Sequence, residues 1–256
     1  KELGVTVTGL DGERQTAKHI ANLETLLQTK PDAIIIILGY SQIMDPVMKK
    51  IQEAKIPIIT CDFTTEYSVC NVSSSNQQMG SMIAEKMAAD LGYKSNIVSF
   101  FRPGSPVAEA RRAELAKVLT KYPDLKVAVE QPYIVPGTVP DAMAKMESIL
   151  IANSKPGAIN AVWSLFDQPV IGAAMAIEAA GKAGQIKVYG IDGDPLALDL
   201  IKMGVMTATI MQQPGTIGKL AAEQAVKLAN GEKVDKQIFV DVTLITKDNV
   251  DQYIKK

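Results

Sequence analysis

Carboxylates, an arginine and amides recur where short apolar runs end. Asp62 and Phe63 follow the run at 56–61. Arg102, Pro103 and Gly104 follow 96–101, and the stretch after them carries Arg111 and Arg112. Phe166 and Asp167 follow 161–164; Asp192, Gly193 and Asp194 follow 187–191; Met211, Gln212 and Gln213 follow 207–210. In open α/β sheets the carboxyl ends of the strands are where ligands bind. Carboxylates accept, guanidinium donates in a planar fork, and amides do both, which suits a neutral ligand rich in hydroxyls. An aromatic face beside them can cover the C–H patch of a sugar ring. Each residue taken singly has a structural alternative. Asp194 before Pro195 reads as a helix cap, and Asp167 can be read the same way. The recurrence at one strand end after another is what favours binding.

Other chemistry is excluded by what is missing. One histidine, His19, removes sites that need two. No GxGxxG, Walker loop or GxSxG elbow is present, so no cofactor and no catalytic nucleophile is indicated. Lys plus Arg total 27 against 28 Asp plus Glu, a net charge of −1 with no footprint for nucleic acid. The longest apolar run, 33–38, is too short to span a membrane. Cys61 and Cys70 fall on strands expected to be parallel neighbours, where disulfide geometry is poor, so two buried thiols are expected. The methionines fall at helical spacings and read as core filler rather than a metal site.

The elements that must position these residues alternate. Strands are expected at 5–8, 33–38, 56–61, 68–72, 96–101, 126–131, 161–164, 187–191, 207–211 and 238–242. Helices are expected at 16–29, 46–54 (Asp45 as cap, Pro46 at N1), 76–91, 105–121, 139–152, 168–180, 195–202, 214–230 and 247–254. This order predicts an α/β fold with doubly wound parallel sheets. About ten strands is too many for one typical sheet, so two lobes are expected. The first would be 1–95 plus 213–239 and the second 96–212 plus 240–256, joined by a hinge of several segments as a clamshell. Lys1-Glu2-Leu3-Gly4 reads as the last turn of a helix with its C′ glycine, so a strand and helix of roughly 30 residues is expected upstream and the first lobe is expected to be incomplete. Tyr40 is expected to line the cleft or pack on Met44, Trp163 to pack at a strand end, and His19 to lie on a solvated face.

Six segments together carry a resemblance. They are Pro57-Ile58-Ile59-Thr60-Cys61-Asp62, Ala108-Glu109-Ala110-Arg111-Arg112, Phe166-Asp167-Gln168-Pro169-Val170-Ile171-Gly172-Ala173, Val188-Tyr189-Gly190-Ile191-Asp192-Gly193, Ala208-Thr209-Ile210-Met211-Gln212-Gln213-Pro214 and Leu244-Ile245-Thr246-Lys247-Asp248-Asn249-Val250. In order and spacing the chain resembles the periplasmic sugar-binding proteins of the ribose- and galactose-binding type that serve ABC importers. The resemblance implies a solute-binding protein that captures a monosaccharide or polyol between two lobes and delivers it to a membrane permease. It implies that Asp62 accepts from sugar hydroxyls, Arg111 donates to a ring oxygen or hydroxyl, Asp192 accepts near the anomeric centre and Gln212 bridges a further hydroxyl. Asp167 would orient its neighbours or touch the ligand less directly. It also implies a monomer without catalysis, in the periplasm or lipid-anchored outside the cell. The chain departs from the pattern at Phe63, where the family often has arginine or asparagine around the aspartate. It departs again at Gly137, where an aromatic is expected, and at Phe166, in place of asparagine. The last two are expected to compensate, with Phe166 as a displaced aromatic platform. Two alternatives share the fold: the sugar-responsive effector domain of a lac-repressor-type regulator, and a sensory receptor subunit.

Overall fold

A strand buried on both faces needs apolar side chains at consecutive positions rather than alternate ones. Ile58–Cys61 and Ala161–Ser164 are buried at every position, and their two polar residues, Thr60 and Ser164, donate to the Cys70 and Phe100 carbonyls. The computed structural model describes residues 4–13, 15–39, 41–102, 104 and 106–254. In chain order its elements are α1 (Thr16–Thr29), β1 (Ile34–Ile37), α2 (Ser41–Glu53), β2 (Ile58–Cys61), β3 (Cys70–Ser73), α3 (Asn76–Asp90), β4 (Ser95–Phe101), α4 (Pro106–Lys121), β5 (Leu125–Pro132) and α5 (Thr138–Ala152). There follow β6 (Ala161–Ser164), α6 (Asp167–Ala179), β7 (Lys187–Asp192), α7 (Pro195–Met203), β8 (Ala208–Met211), α8 (Pro214–Ala229), β9 (Gln237–Phe239), β10 (Thr243–Thr246) and one 3-10 turn at Val250–Gln252. Tyr40, Pro103 and residues 1–3, named above, lie outside the described residues.

Packing divides the chain into two units, residues 1–74 with 213–241 and residues 75–212 with 242–256. The first holds a sheet of order β1-β2-β3-β9, parallel throughout. Leu23, Ile34, Ile36, Met44, Met48, Ile51 and Ile58 fill one face, and Ile59, Cys61, Cys70, Val72, Ile217 and Ala221 fill the other. The second holds a sheet of order β10-β8-β7-β6-β4-β5, parallel except where β10 meets β8. Val98, Phe100, Val162 and Val188 face α5, α6 and α7, while Ile97, Trp163, Tyr189 and Ile191 face α3 and α4. Each sheet is therefore doubly wound, with the period of two that a pleated strand imposes. Trp163 is fully buried in that second layer, and Cys61 and Cys70 are buried free thiols.

The structure differs from the sequence reading in five places. The division falls at Ser74 rather than residue 95, because α3 packs on the second sheet; Tyr189 Oη donates to Asp90 Oδ2 at 2.8 Å and Lys187 Nζ to the Asp90 carbonyl at 2.8 Å. Pro46 lies inside α2 and not at its start. The buried stripe Met44, Val47, Met48 and Ile51 explains this, since it begins upstream of the proline. Residues 5–8 form no strand; Val5 and Val7 are exposed, and a β-branched run without a partner does not make one. The strand read at 238–242 is the shorter β9, and a further strand that the sequence reading did not expect, β10, follows the crossing after Asp241. The last helix shrinks to the single turn at Val250–Gln252.

Glycine sets one close approach in this frame. A Cβ on Gly172 of α6 would lie 2.2 Å from the Val139 carbonyl oxygen of α5, so the two helix backbones touch there. Gly218 of α8 is exposed and meets nothing within 4 Å. Gly218→Ala is expected to stabilise the protein by about 0.5–1 kcal/mol through helix propensity. Gly172→Ala is expected to destabilise it by about 1–3 kcal/mol, because overpacking outweighs the same propensity gain. Urea unfolding of the two variants checks the opposite signs.

Candidate functional site

In the second unit, the chain ends of β6, β7 and β8 bring a donor–acceptor cluster together. Asp192, the last residue of β7, has φ 137°, a conformation that side-chain-bearing residues rarely adopt and that costs on the order of 1–3 kcal/mol. Gln212, just past β8, donates from Nε2 to Asp192 Oδ1 at 2.7 Å, and its backbone N–H donates to the Asp192 carbonyl at 3.1 Å. Arg111 Nη1 lies 3.3 Å from the same Oδ1. Among the described residues the hydrogen bonds that Asp192 accepts on its side chain all fall on Oδ1, and the side chain is 37% exposed, so Oδ2 keeps its acceptor capacity. Burial pushes the Asp192 carboxyl pKa up, while the Arg111 charge and the Gln212 hydrogen bond pull against it.

Arg111 is buried and held from several sides. Nη1 donates to the Leu165 carbonyl at 2.6 Å, Nε donates to Asn76 Oδ1 at 3.0 Å, and the guanidinium lies 4.7 Å over the Phe166 ring. Sequence explains how α4 reaches this position. Gly80 of α3 has no side chain where one would meet the Arg111 backbone, at 2.8 Å from its carbonyl oxygen. Asn76, at the start of α3, then stands one turn away to take the Nε proton. Phe166 thus has a task the sequence did not suggest: its ring supports the arginine. Gly137, where an aromatic was expected, is the N-cap of α5 at φ 86°.

Asp167 is fully buried, so of the two roles expected for it, orientation is the one its position supports. Oδ2 accepts from the Gly193 and Asp194 N–H groups at 2.8 and 2.9 Å, and Oδ1 accepts from Thr209 Oγ1 at 2.7 Å. It fits only because Gly190 lacks a Cβ, which would stand 2.1 Å from Oδ1. Asp194 is the cap expected, accepting from Leu196 N–H at 2.9 Å. Burial and the nearby Asp192 charge raise the Asp167 pKa to about 7, against the pull of its three hydrogen bonds.

In the first unit, Asp62 directly follows β2 at φ 59°, a left-handed conformation that aspartate tolerates better than most residues. Phe63 follows it half-buried, with its ring against Gly39 and its carbonyl accepting from Asn71 Nδ2. Among the described residues no cluster of His, Cys, Asp or Glu is placed to hold a metal ion. Sequence reading missed Asn76, Thr209 and Tyr133. The first two act through side chains within elements. Tyr133 directly follows β5, and that place at a strand end is the signal that marks it.

The raised Asp167 pKa has a consequence for stability. The folded form holds its proton up to about pH 7 and the unfolded form only to about pH 4, so folding loses stability as pH rises through that window. Asp167→Asn keeps an acceptor for the two N–H groups and a donor toward Thr209. Relative to this variant, the native protein should lose about 2 kcal/mol between pH 5 and pH 8. Urea unfolding at the two pH values checks it; parallel pH dependence in both proteins would refute it.

Comparison with known proteins gives the family. A family model described as a periplasmic binding protein domain matches residues 1–233. The ribose import binding protein RbsB of Bacillus subtilis is 30% identical over 248 residues, covering 96% of this chain and 79% of that protein. The structure of an ABC sugar transporter subunit from Rhodobacter sphaeroides matches with TM-score 0.91 and 34% identity, over 97% of this chain and 89% of the other. An ABC transporter solute-binding protein from Agrobacterium vitis, with bound allitol, matches with TM-score 0.88 and 33% identity, over 95% and 85%. On the strength of the family model and these relatives, the chain belongs to the periplasmic binding protein family.

Proposed function

We propose that this protein is the solute-binding subunit of an ABC importer and that it captures a monosaccharide or polyol. The observation that carries this reading is the Asp192–Arg111–Gln212 cluster, a half-exposed carboxylate fixed in a strained backbone beside a buried arginine. Such a set is matched to vicinal hydroxyls, because each hydroxyl can donate to Asp192 while its lone pairs accept from a neighbouring N–H. The relatives support the ligand class, since one is described as a ribose import protein and another holds allitol. The same reading assigns Asp62 and Phe63 of the first unit as ligand contacts. Phe166 and Asp167 act behind the contact surface, the first under Arg111 and the second on the loop at Gly193 and Asp194.

The protein binds without turning its ligand over. It delivers to a membrane permease, works as a monomer, and has no use for nucleic acid, in keeping with its even charge. Its place of work is the periplasm, or the outer face of a membrane by a lipid anchor. The regulator and receptor alternatives have no observation in their favour.

Titration calorimetry with D-ribose, D-xylose, D-allose, allitol and myo-inositol tests the reading. At least one is expected to bind the native protein. Asp192→Asn should weaken that binding by about 10- to 100-fold, the size of a lost charge-assisted hydrogen bond. Binding of none of the five, or equal binding by the variant, would overturn it.

A further inference from the structure

Tyr133 is the first residue past β5, and its N–H extends the ladder to the Phe101 carbonyl at 3.2 Å. Its ring is packed with Phe100 and Val162 in the core layer under α5 and α6, and the residue is 7% exposed. The chain that follows is pinned. Ile134 N–H donates to Asp141 Oδ2 at 3.2 Å, and Thr138 Oγ1 donates to the Ile134 carbonyl at 2.8 Å. The ring therefore cannot swing out to water. Yet its hydroxyl is buried and, among the described residues, has no hydrogen-bond partner. Buried tyrosine hydroxyls are normally paired, and an unpaired one is a cost that phenylalanine would avoid in the same space. Packing alone gives no reason for the oxygen.

The surroundings supply one. Tyr133 stands at the carboxyl edge of the second sheet, next to the end of β4 and on the edge where β6 and β7 end at Ser164 and Asp192, and the charges of Arg102, Asp192 and Arg111 are felt at its hydroxyl. Arg111 and Gln212 already direct their protons at Asp192 Oδ1. A sugar hydroxyl that donates to Asp192 keeps lone pairs that need a donor, and a tyrosine proton without an acceptor is such a donor. The ring stays where the core holds it, and a rotamer change in the side chains over the hydroxyl, of the kind common at binding surfaces, is enough to open it to the ligand.

We propose that the Tyr133 hydroxyl is a specificity contact, donating its proton to one oxygen of the sugar or polyol that Asp192 and Arg111 hold. The inference rests on the sugar-binding reading above. A ligand with no oxygen at that place leaves the hydroxyl unpaired and is disfavoured, which is the way polar sites discriminate most sharply.

Tyr133→Phe removes the oxygen and nothing else. Native protein and variant are titrated with D-ribose, D-xylose, D-allose, allitol and myo-inositol, and the thermal midpoint of each ligand-free protein is recorded. The variant should melt no lower than the native protein. It should bind the preferred compound about 3- to 10-fold more weakly, with uneven losses across the five, so that their ranking narrows. Equal affinities for every compound would overturn the inference, as would a loss of one size throughout or a loss accompanied by lower melting. If the native protein binds none of the five, the sugar reading itself fails and this inference falls with it.

Discussion

The carboxylate of Asp167 fixes the geometry on which the second unit's site depends. Asp192 sits at a backbone angle that β7 would not adopt unaided, and the two N–H groups just after it point at one oxygen of Asp167. A buried carboxylate with two backbone donors and a threonine hydroxyl is a strong, directional clamp. It holds the loop while leaving the Asp192 side chain half-exposed. The clamp has its own requirement, a strand residue without a Cβ, which Gly190 meets. One short segment of the chain thus carries the space for the brace, the Asp192 carboxylate and the loop that the brace grips.

Arg111 shows the same economy on the other side of the sheet. Its guanidinium is shared between a carbonyl at the end of β6, an amide on α3 and the carboxylate at the end of β7. A buried arginine that lost one of these partners would keep its desolvation cost and lose its compensation. The helix contact at Gly80 and the ring of Phe166 are what keep the fork in place. Because α3 supplies both Gly80 and Asn76, the helix belongs with the second sheet although the strand before it belongs to the first.

Fold class and strand-end residues were legible because they rest on local patterns. Consecutive apolar positions mark parallel strands, and polar residues just beyond them mark the ligand edge. The places that were not legible depend on partners distant in sequence. The start of α2 was hidden by Pro46, whose usual meaning was outweighed by the apolar stripe beginning at Met44. The unit of α3 was hidden because nothing local says which sheet a helix will cover. The contact of Phe166 with Arg111 joins residues 55 positions apart, so no local pattern shows it. Nothing local to Tyr133 shows that its hydroxyl is buried with no hydrogen-bond partner among the described residues.

A sugar competes for its site against water that offers the same hydrogen bonds, so each bond contributes little net free energy. Affinity then comes from groups that are already ordered before the ligand arrives. An arginine free in solution would give up about 2 kcal/mol of rotamer entropy on being fixed. Arg111 has given it up in folding, through contacts that a ligand need not make. The strained turn at Asp192 has the same effect on its carboxylate, because Asp167 and Gln212 have set its orientation in advance. The unfavourable features of this unit, a buried arginine, a raised carboxyl pKa and a rare backbone angle, therefore fall together around one carboxylate. Their clustering follows from the demand for rigidity at a site whose individual interactions are weak.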